Sequence, residues 1–245
     1  MGRPNHILIT GASGGIGGAL ARQLARQGRN VFLGGRDVAR LESLAAELNA
    51  PYLAGDLTGS AGARELVAAA REQLGLLDGV AHCVGSLLLK PGHRTTDSEW
   101  LDTLHTHLSS AFFIMRESVQ LMPETGGSLV FISSAAARHG FANHEAIAGA
   151  KAGIIGLTLS AAATQARRNI RVNCVAPGLT QTPLTGGLTS NEASLKASAA
   201  MHALGRIGQP EEIAAAIQFL LDHEWITGEV LSVSGGLGSV HARSG

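Results

Sequence analysis

Between Ile7 and Val233 the chain alternates short, continuously apolar runs with stretches of helical periodicity, and this alternation constrains the fold more than any other feature. The runs are Ile7-Leu-Ile-Thr10, Val31-Phe-Leu33, Tyr52-Leu-Ala54, Gly79-Val-Ala-His-Cys-Val84, Leu129-Val-Phe-Ile132, Ile170 to Val175, and Glu229 to Val233. Between them apolar residues recur at helical spacing: Ile16, Leu20 and Leu24; Leu41, Leu44 and Leu48; Trp100, Leu104, Leu108 and Phe112. Runs that stay apolar, instead of alternating with polar residues, belong to strands covered on both faces.

Strands and helices in strict alternation build a parallel sheet wrapped by helices. The expected architecture is α/β: one domain over residues 1–245, a Rossmann-type doubly wound sheet of about seven parallel strands with helices on both faces. Ligands of such sheets bind beyond the carboxyl ends of the strands, where strand order reverses. Thr10, Asp56, Gly85, Ser134 and Pro177 stand at those ends and are expected to line one crevice.

Composition narrows the function. Nineteen basic residues balance nineteen acidic ones, and no Lys/Arg block occurs, so neither nucleic acid nor an anionic membrane is expected as a partner. Cys83 and Cys174 lie in apolar runs and read as small core residues, not as a disulfide or metal pair, which fits a reducing, cytoplasmic compartment. No metal site is expected. No apolar run approaches the roughly 20 residues of a membrane span. The first strand is reached by Ile7, which leaves no room for a signal peptide.

The first strand runs into Gly11-Ala-Ser-Gly-Gly-Ile-Gly17 and then a helix. Glycines at such a turn let the backbone approach a pyrophosphate, and the helix N-terminus offers free N–H groups with a partial positive charge. The spacing is G-x-x-x-G-x-G, and a tight turn without a ligand is the competing reading. Downstream stand Asp56, Ser134, Lys151, Asn173-Cys-Val-Ala-Pro-Gly178 with Thr182, Gly205-Arg-Ile-Gly-Gln-Pro-Glu-Glu212, and Thr227-Gly-Glu-Val with Gly235-Gly236. In this order, over nearly the whole chain, these motifs resemble the short-chain dehydrogenase/reductase family.

The resemblance implies that Gly11, Ser13, Gly15, Ile16 and Gly17 hold the phosphates and ribose of a nicotinamide dinucleotide. It implies that Asp56 and Leu57 contact the adenine, that Val84 and Gly85 follow the adenosine ribose, and that Pro177, Gly178 and Thr182 hold the nicotinamide end. Where the family usually carries Asn-Asn-Ala-Gly, this chain has His82-Cys-Val-Gly85. At the end of the second strand, Gly35 occupies the place of the acidic residue that would accept the 2′-hydroxyl of NAD, and Arg36 follows. A guanidinium suits a 2′-phosphate, so NADP(H) is expected over NAD(H). The alternatives are a solvated Arg36 without a ligand, or an Arg36 paired with Asp37.

In the family a tyrosine four residues before the lysine exchanges the proton, the lysine lowers its pKa and holds the nicotinamide ribose, a serine polarises the substrate oxygen, and an asparagine on the preceding helix completes a relay. By this resemblance the serine is Ser134 and the lysine Lys151, while the tyrosine position is Ile147 and the asparagine position His107. The sole tyrosine, Tyr52, lies by the third strand. Two replacement acids suggest themselves. His144 stands seven residues before Lys151, on the same helix face as Ile147, at the spacing used by relatives that reduce enoyl thioesters. His107 faces it from the preceding helix. The competing readings are a capping or surface role for His144 beside an Asn143 N-cap, and a satisfied buried imidazole for His107.

Two functions follow. One is an atypical NADP(H)-dependent oxidoreductase acting on a carbonyl or conjugated enoyl group of a small molecule. The other is a catalytically silent NADP(H)-binding sensor or partner subunit. Small residues on the Lys151 helix (Ala148, Gly149, Ala152, Gly153 and Gly156) permit close approach to the sheet or to another helix. The resemblance implies a homodimer or homotetramer. Residues 183–205, small, polar and weakly periodic, fall where the family has a variable substrate loop.

Overall fold

The computed structural model describes residues 2–240. Seven strands form one sheet in the order β3-β2-β1-β4-β5-β6-β7, and every adjacent pair is parallel. They are β1 His6–Thr10, β2 Asn30–Gly35, β3 Tyr52–Ala54, β4 Gly79–His82, β5 Gly127–Ile132, β6 Ile170–Pro177 and β7 Val230–Val233. The order reverses between β1 and β4, so the switch point lies beyond Thr10 and His82.

Period-two alternation along the strands divides the interior into two layers. Leu8, Phe32, Val80, Leu129 and Phe131 face helices α3 (Ser60–Leu74), α5 (Ser110–Leu121) and α6 (Glu145–Gln165) through Leu66, Ile114 and Ile154. Ile9, Leu33, Ala81, Val130 and Ile132 face α1 (Gly15–Arg26), α2 (Val38–Leu48) and α9 (Pro210–Asp222) through Leu24, Leu41 and Ile217. Arg29 clamps α9 from the second layer by a two-pronged pair with Asp222, at 2.6 and 2.7 Å. Arg171 on β6, also buried, donates to the Leu220 and Leu221 carbonyls at the α9 C-terminus.

Three local expectations are corrected. The helix opened by the Thr96–Glu99 capping box is α4 (Asp97–Leu104), and it passes into α5 through a wide π turn, His105–Ser109. Its inward stripe is Thr103, Thr106, His107, Ser110, Ala111 and Ile114, while Trp100 and Phe112 are each 41% exposed. Of the apolar stripe read from the sequence, Leu104 and Leu108 are partly buried, Leu108 against the core, and the two ends turn outward, because this helix packs a polar stripe toward the crevice. Residues 183–205 are not a plain loop: α7 (Gly186–Thr189) and α8 (Glu192–Ala200) occupy much of the segment, the latter capped by Asn191, whose side chain accepts from the Ser194 N–H. Its alanines favour helix even where no apolar face announces one. Finally, Asn143 is not the N-cap of α6. It sits in the left-handed region (φ 64°), and His144 holds the N-cap position without capping through its side chain.

Helix α6, extended to Arg168, is long and apolar enough by length and composition to cross a membrane. Sequence reasoning underrated it because Glu145 and Lys151 interrupt the apolar run. In the fold it packs on β5 and β6 with Ile147, Lys151 and Ile154 buried.

Candidate functional site

Beyond β1 the backbone of Gly11 turns at φ +69°, and a Cβ there would stand 2.7 Å from the Cys83 carbonyl carbon. A Cβ on Gly17 would overlap the Gly11 carbonyl oxygen, and one on Gly15 would come within 2.8 Å of Thr182 Cγ2. The turn is therefore packed to the limit that glycine permits. Helix α1 begins there with Gly14 at its N-cap and no side chain capping it, so its first N–H groups face a cleft of about 380 Å³. Clearance, free donors and a positive helix end fit the phosphates of a dinucleotide.

Gly11, Ser13, Gly15, Ile16, Gly17, Arg36, Asp56, Leu57, Val84, Gly85 and Thr182 all line this cleft. Asp37 does not engage Arg36. Its carboxylate caps α2 by accepting the Arg40 N–H at 3.1 Å and pairs with the Arg40 guanidinium at 3.2 Å. Arg40 lines the cleft beside Arg36, a second cation that sequence reasoning passed over although it lies one helical turn along the chain. The Asp56 carboxylate accepts from the Thr58 N–H and hydroxyl, which lower its pKa, burial working against them and Arg36 adding a smaller push.

A second cavity, of about 490 Å³, adjoins the first through Ile16, Cys83, Val84, Gly85, Thr182 and Leu184. Ser134, Lys151, Ile147, His144, His107, Pro177 and Gly178 all line it. The Lys151 amine is buried and donates to the Ile132 carbonyl at 2.7 Å. Burial lowers its pKa to about 8. The Ser133 hydroxyl donates to the Lys151 carbonyl and fastens α6 to the end of β5. Ser134 Oγ accepts the Ala136 N–H at 3.1 Å, which leaves its own proton free to point at a ligand. Ile147 presents hydrocarbon to the same space. Tyr52 is remote: its hydroxyl donates to Glu42 on the outer edge of the sheet, and it lines neither cavity.

The two candidate acids separate clearly. His107, turned inward by the π turn, is buried, and its Nε2 accepts the Ser86 N–H at 3.3 Å. A nitrogen that accepts from a backbone N–H carries no proton, so the ring is neutral with its hydrogen on Nδ1, which has no partner. Burial, with Lys151 and His82 adding to it, lowers its pKa to about 2. His144 is half-buried at the cavity. Its Nδ1 bonds the Ala142 carbonyl at 2.7 Å, so Nε2 is the nitrogen left for exchange.

His82, noted in the sequence only as a departure, has both nitrogens engaged. Ser110 donates its hydroxyl to the Thr106 carbonyl at 2.6 Å, so it accepts from His82 Nε2–H at 3.0 Å, and Thr10 donates to Nδ1 at 2.7 Å. Burial, with a smaller push from Lys151, lowers the ring's pKa to about 3. This chain of bonds ties β1, β4 and α5 together beneath the switch point. His202, which no sequence signal marked, closes the other side. Its Nδ1–H donates to the Ser198 carbonyl and its Nε2 accepts the Leu179 N–H, so α8 is fastened over the loop that follows β6. No group of three or more His, Cys, Asp or Glu among the described residues is placed to hold a metal ion.

Residues 11–238 match a family model described as enoyl-(acyl carrier protein) reductase. Carbonyl reductase family member 4 of Danio rerio is 34% identical, covering 94% of this chain and 96% of its own. The 3-oxoacyl-[acyl-carrier-protein] reductase FabG of Thermotoga maritima is 33% identical at the same coverage. The chain belongs to the short-chain dehydrogenase/reductase family. A short-chain type dehydrogenase/reductase from Mycobacterium ulcerans superposes with a TM-score of 0.92 at 27% identity, covering 99% of this chain and 93% of its own. ElxO with NADP bound superposes with a TM-score of 0.89 at 27% identity, covering 96% of this chain and 98% of its own. Membership makes the chain an oxidoreductase by type, in a family that binds a nicotinamide cofactor, and its sheet is the expected one of seven parallel strands.

Proposed function

We propose that this short-chain dehydrogenase/reductase is an NADP(H)-dependent oxidoreductase of a small-molecule carbonyl or conjugated enoyl group, with His144 in the role the family gives to a tyrosine. The observation that carries the reading is the single cavity lined by Ser134, Ile147, Lys151 and His144, opening into the glycine-walled cleft. The bound cofactor supplies the hydride. Ser134 donates a hydrogen bond from its free hydroxyl to the substrate oxygen and orients it. Lys151 places a buried positive charge beside that oxygen, where developing negative charge is stabilised. His144, as the imidazolium, delivers its Nε2 proton and is left as the neutral ring whose Nδ1–H donates to the Ala142 carbonyl. His107, held neutral by burial and by the Ser86 N–H, is set aside as the acid.

Preference for NADP(H) is supported by Gly35 in place of an acidic residue, by Arg36 left free while Asp37 pairs with Arg40, and by the NADP-bound neighbour ElxO. Self-association, as a homodimer or homotetramer, is supported by the outward Trp100, Leu101, Phe112 and Leu159. Gly149 and Gly153 serve packing inside the chain, against Trp100 and Leu108, whereas Gly156 opens onto free space.

A second reading, an NADP(H)-binding subunit without turnover, is favoured by one observation: the Lys151 ammonium is spent on the Ile132 carbonyl beside an Ile147 that has no proton to give. Stopped-flow and steady-state measurements with NADPH, ketones, aldehydes and enoyl thioesters separate the two. Consumption of NADPH that falls about 10²-fold in His144→Ala supports the enzyme. Tight NADPH binding without consumption across the panel refutes it.

A further inference from the structure

The oxidoreductase reading fixes where the reacting group sits; the walls of the same cavity say what the remainder of the substrate is. Among its described lining residues Lys151 is the sole Lys, Arg, Asp or Glu, and its amine already donates to Ile132 at the cavity floor. The three histidines offer little more. His107 is neutral and offers only its unpartnered Nδ1–H, and His202 has both ring nitrogens occupied, which leaves His144 Nε2 as the one exchangeable position. The positive end of α6, beside His144, is already covered by the Glu145 carboxylate, which accepts from the Gly92 N–H and from its own backbone N–H. An anionic substrate entering here finds no guanidinium and no free helix terminus, so its charge would be desolvated without a partner.

Hydroxyls of Ser86, Ser134, Thr180, Thr182, Thr185 and Ser198 interrupt the wall, and its other large side chains are apolar: Leu87, Leu89, Phe141, Leu188, Met201 and Leu237. At its margin Met201 leaves 54% of its surface in water. Apolar side chains exposed beside a concave site gain burial only when an apolar ligand covers them. The volume, about 490 Å³ and shared with the nicotinamide end, limits that ligand to a compact body.

We infer that the substrate of this cavity is an uncharged, compact, hydrophobic ketone or enone, and not a carboxylated or phosphorylated one. The inference rests on the oxidoreductase reading for the reacting group alone.

The test uses a matched pair, 4-tert-butylcyclohexanone and 4-oxocyclohexanecarboxylate, titrated calorimetrically into the intact protein with and without saturating NADP+, NADPH consumption being followed separately. The expected result is a Kd at least tenfold lower for the neutral ketone. In Met201→Arg the carboxylate should gain at least fivefold and the neutral ketone lose affinity; Leu188→Arg should do the same should the first variant fold poorly. Equal or tighter binding of the carboxylate by the unaltered protein, or no binding of either ketone, overturns the inference. Preference for the neutral ketone without NADPH consumption upholds it while removing the redox reading. Consumption of NADPH with the carboxylate preferred does the reverse.

Discussion

Restoring a phenol at position 147 tests the active-site reading most directly. Ile147 is buried on α6, four residues before Lys151, and faces the open cavity. Residues at this spacing hold their Cβ atoms roughly 5–6 Å apart on one face, so a tyrosine there stands beside the Lys151 ammonium. The ring enlarges toward empty space and not toward β5, so the overpacking penalty should stay below the roughly 1–3 kcal/mol of a filled core. The neighbouring cation lowers the phenol pKa and readies it as an acid. Acid catalysis contributes roughly 10²–10⁴ in rate, about 3–5 kcal/mol of barrier. Because His144 already does part of this work, the gain should lie near the bottom of that range, at about 10² in kcat with ketones. The assay is NADPH absorbance in a double-mutant cycle. His144→Ala should slow the natural sequence about 10²-fold but Ile147→Tyr less than about threefold, because two acids serving one oxygen are not additive. A folded, NADPH-binding Ile147→Tyr protein with unchanged ketone rates would refute the claim that the missing phenol limits the chemistry.

Four further outcomes are expected. Arg36→Glu should weaken NADPH about tenfold and leave NADH nearly unchanged, with an effect that shrinks at high salt, as titrations at two ionic strengths will show. Gly17→Ala should abolish dinucleotide binding or unfold the turn, since its Cβ overlaps the Gly11 carbonyl oxygen; calorimetry with NADP+ reads the first and thermal melting the second. Lys151 keeps its proton to 10.5 when unfolded but only to about 8 when buried. Between those values the unfolded chain binds more protons, so stability from this group rises with pH, by an upper limit on the order of 3 kcal/mol. Urea midpoints from pH 7 to 10 should show the rise in the natural protein and lose it in Lys151→Met. Arg29→Ala should cost up to about 3 kcal/mol by stripping a part-buried Asp222 carboxylate of its cation. Burial works to raise the Asp222 pKa, but hydrogen bonds from Arg29 and Gln218 outweigh it and hold it low. The pair's contribution is therefore full above the ordinary carboxylate range and vanishes as pH falls through the lowered value, where the two urea curves should converge.

The sheet and its switch point could be read from the sequence because buried parallel strands announce themselves as unbroken apolar runs, and Ile7 to Thr10 followed by a glycine turn leaves few alternatives. Residues at strand ends, such as Ser134 and Pro177, could be placed at the crevice for the same reason, and both line the second cavity. Helical periodicity was a poorer guide where a helix turns polar residues inward. Trp100 and Phe112 drew attention as core, yet Thr103, Thr106 and Ser110 face the interior, where Thr106 and Ser110 complete the bonding of His82. That network could not be anticipated, since Thr10, His82 and Ser110 lie 28 to 72 residues apart in pairing. His202 was invisible for a different reason: it works through backbone groups of Ser198 and Leu179, which leave no trace in side-chain identity.

The wide turn between α4 and α5 holds one residue more than a regular helical turn would, and the widening absorbs that surplus locally. Deleting a single residue from His105–Ser109 would let the two segments fuse as one regular helix with α4 nearly in place, because the bulged turn and the regular turn that replaces it sweep almost the same angle. Trp100 and Leu101 would stay on the outer surface, while His107 would lose the bulged position from which it meets Ser86. A one-residue count thus governs the roof of the crevice and leaves the exterior that another copy would meet undisturbed.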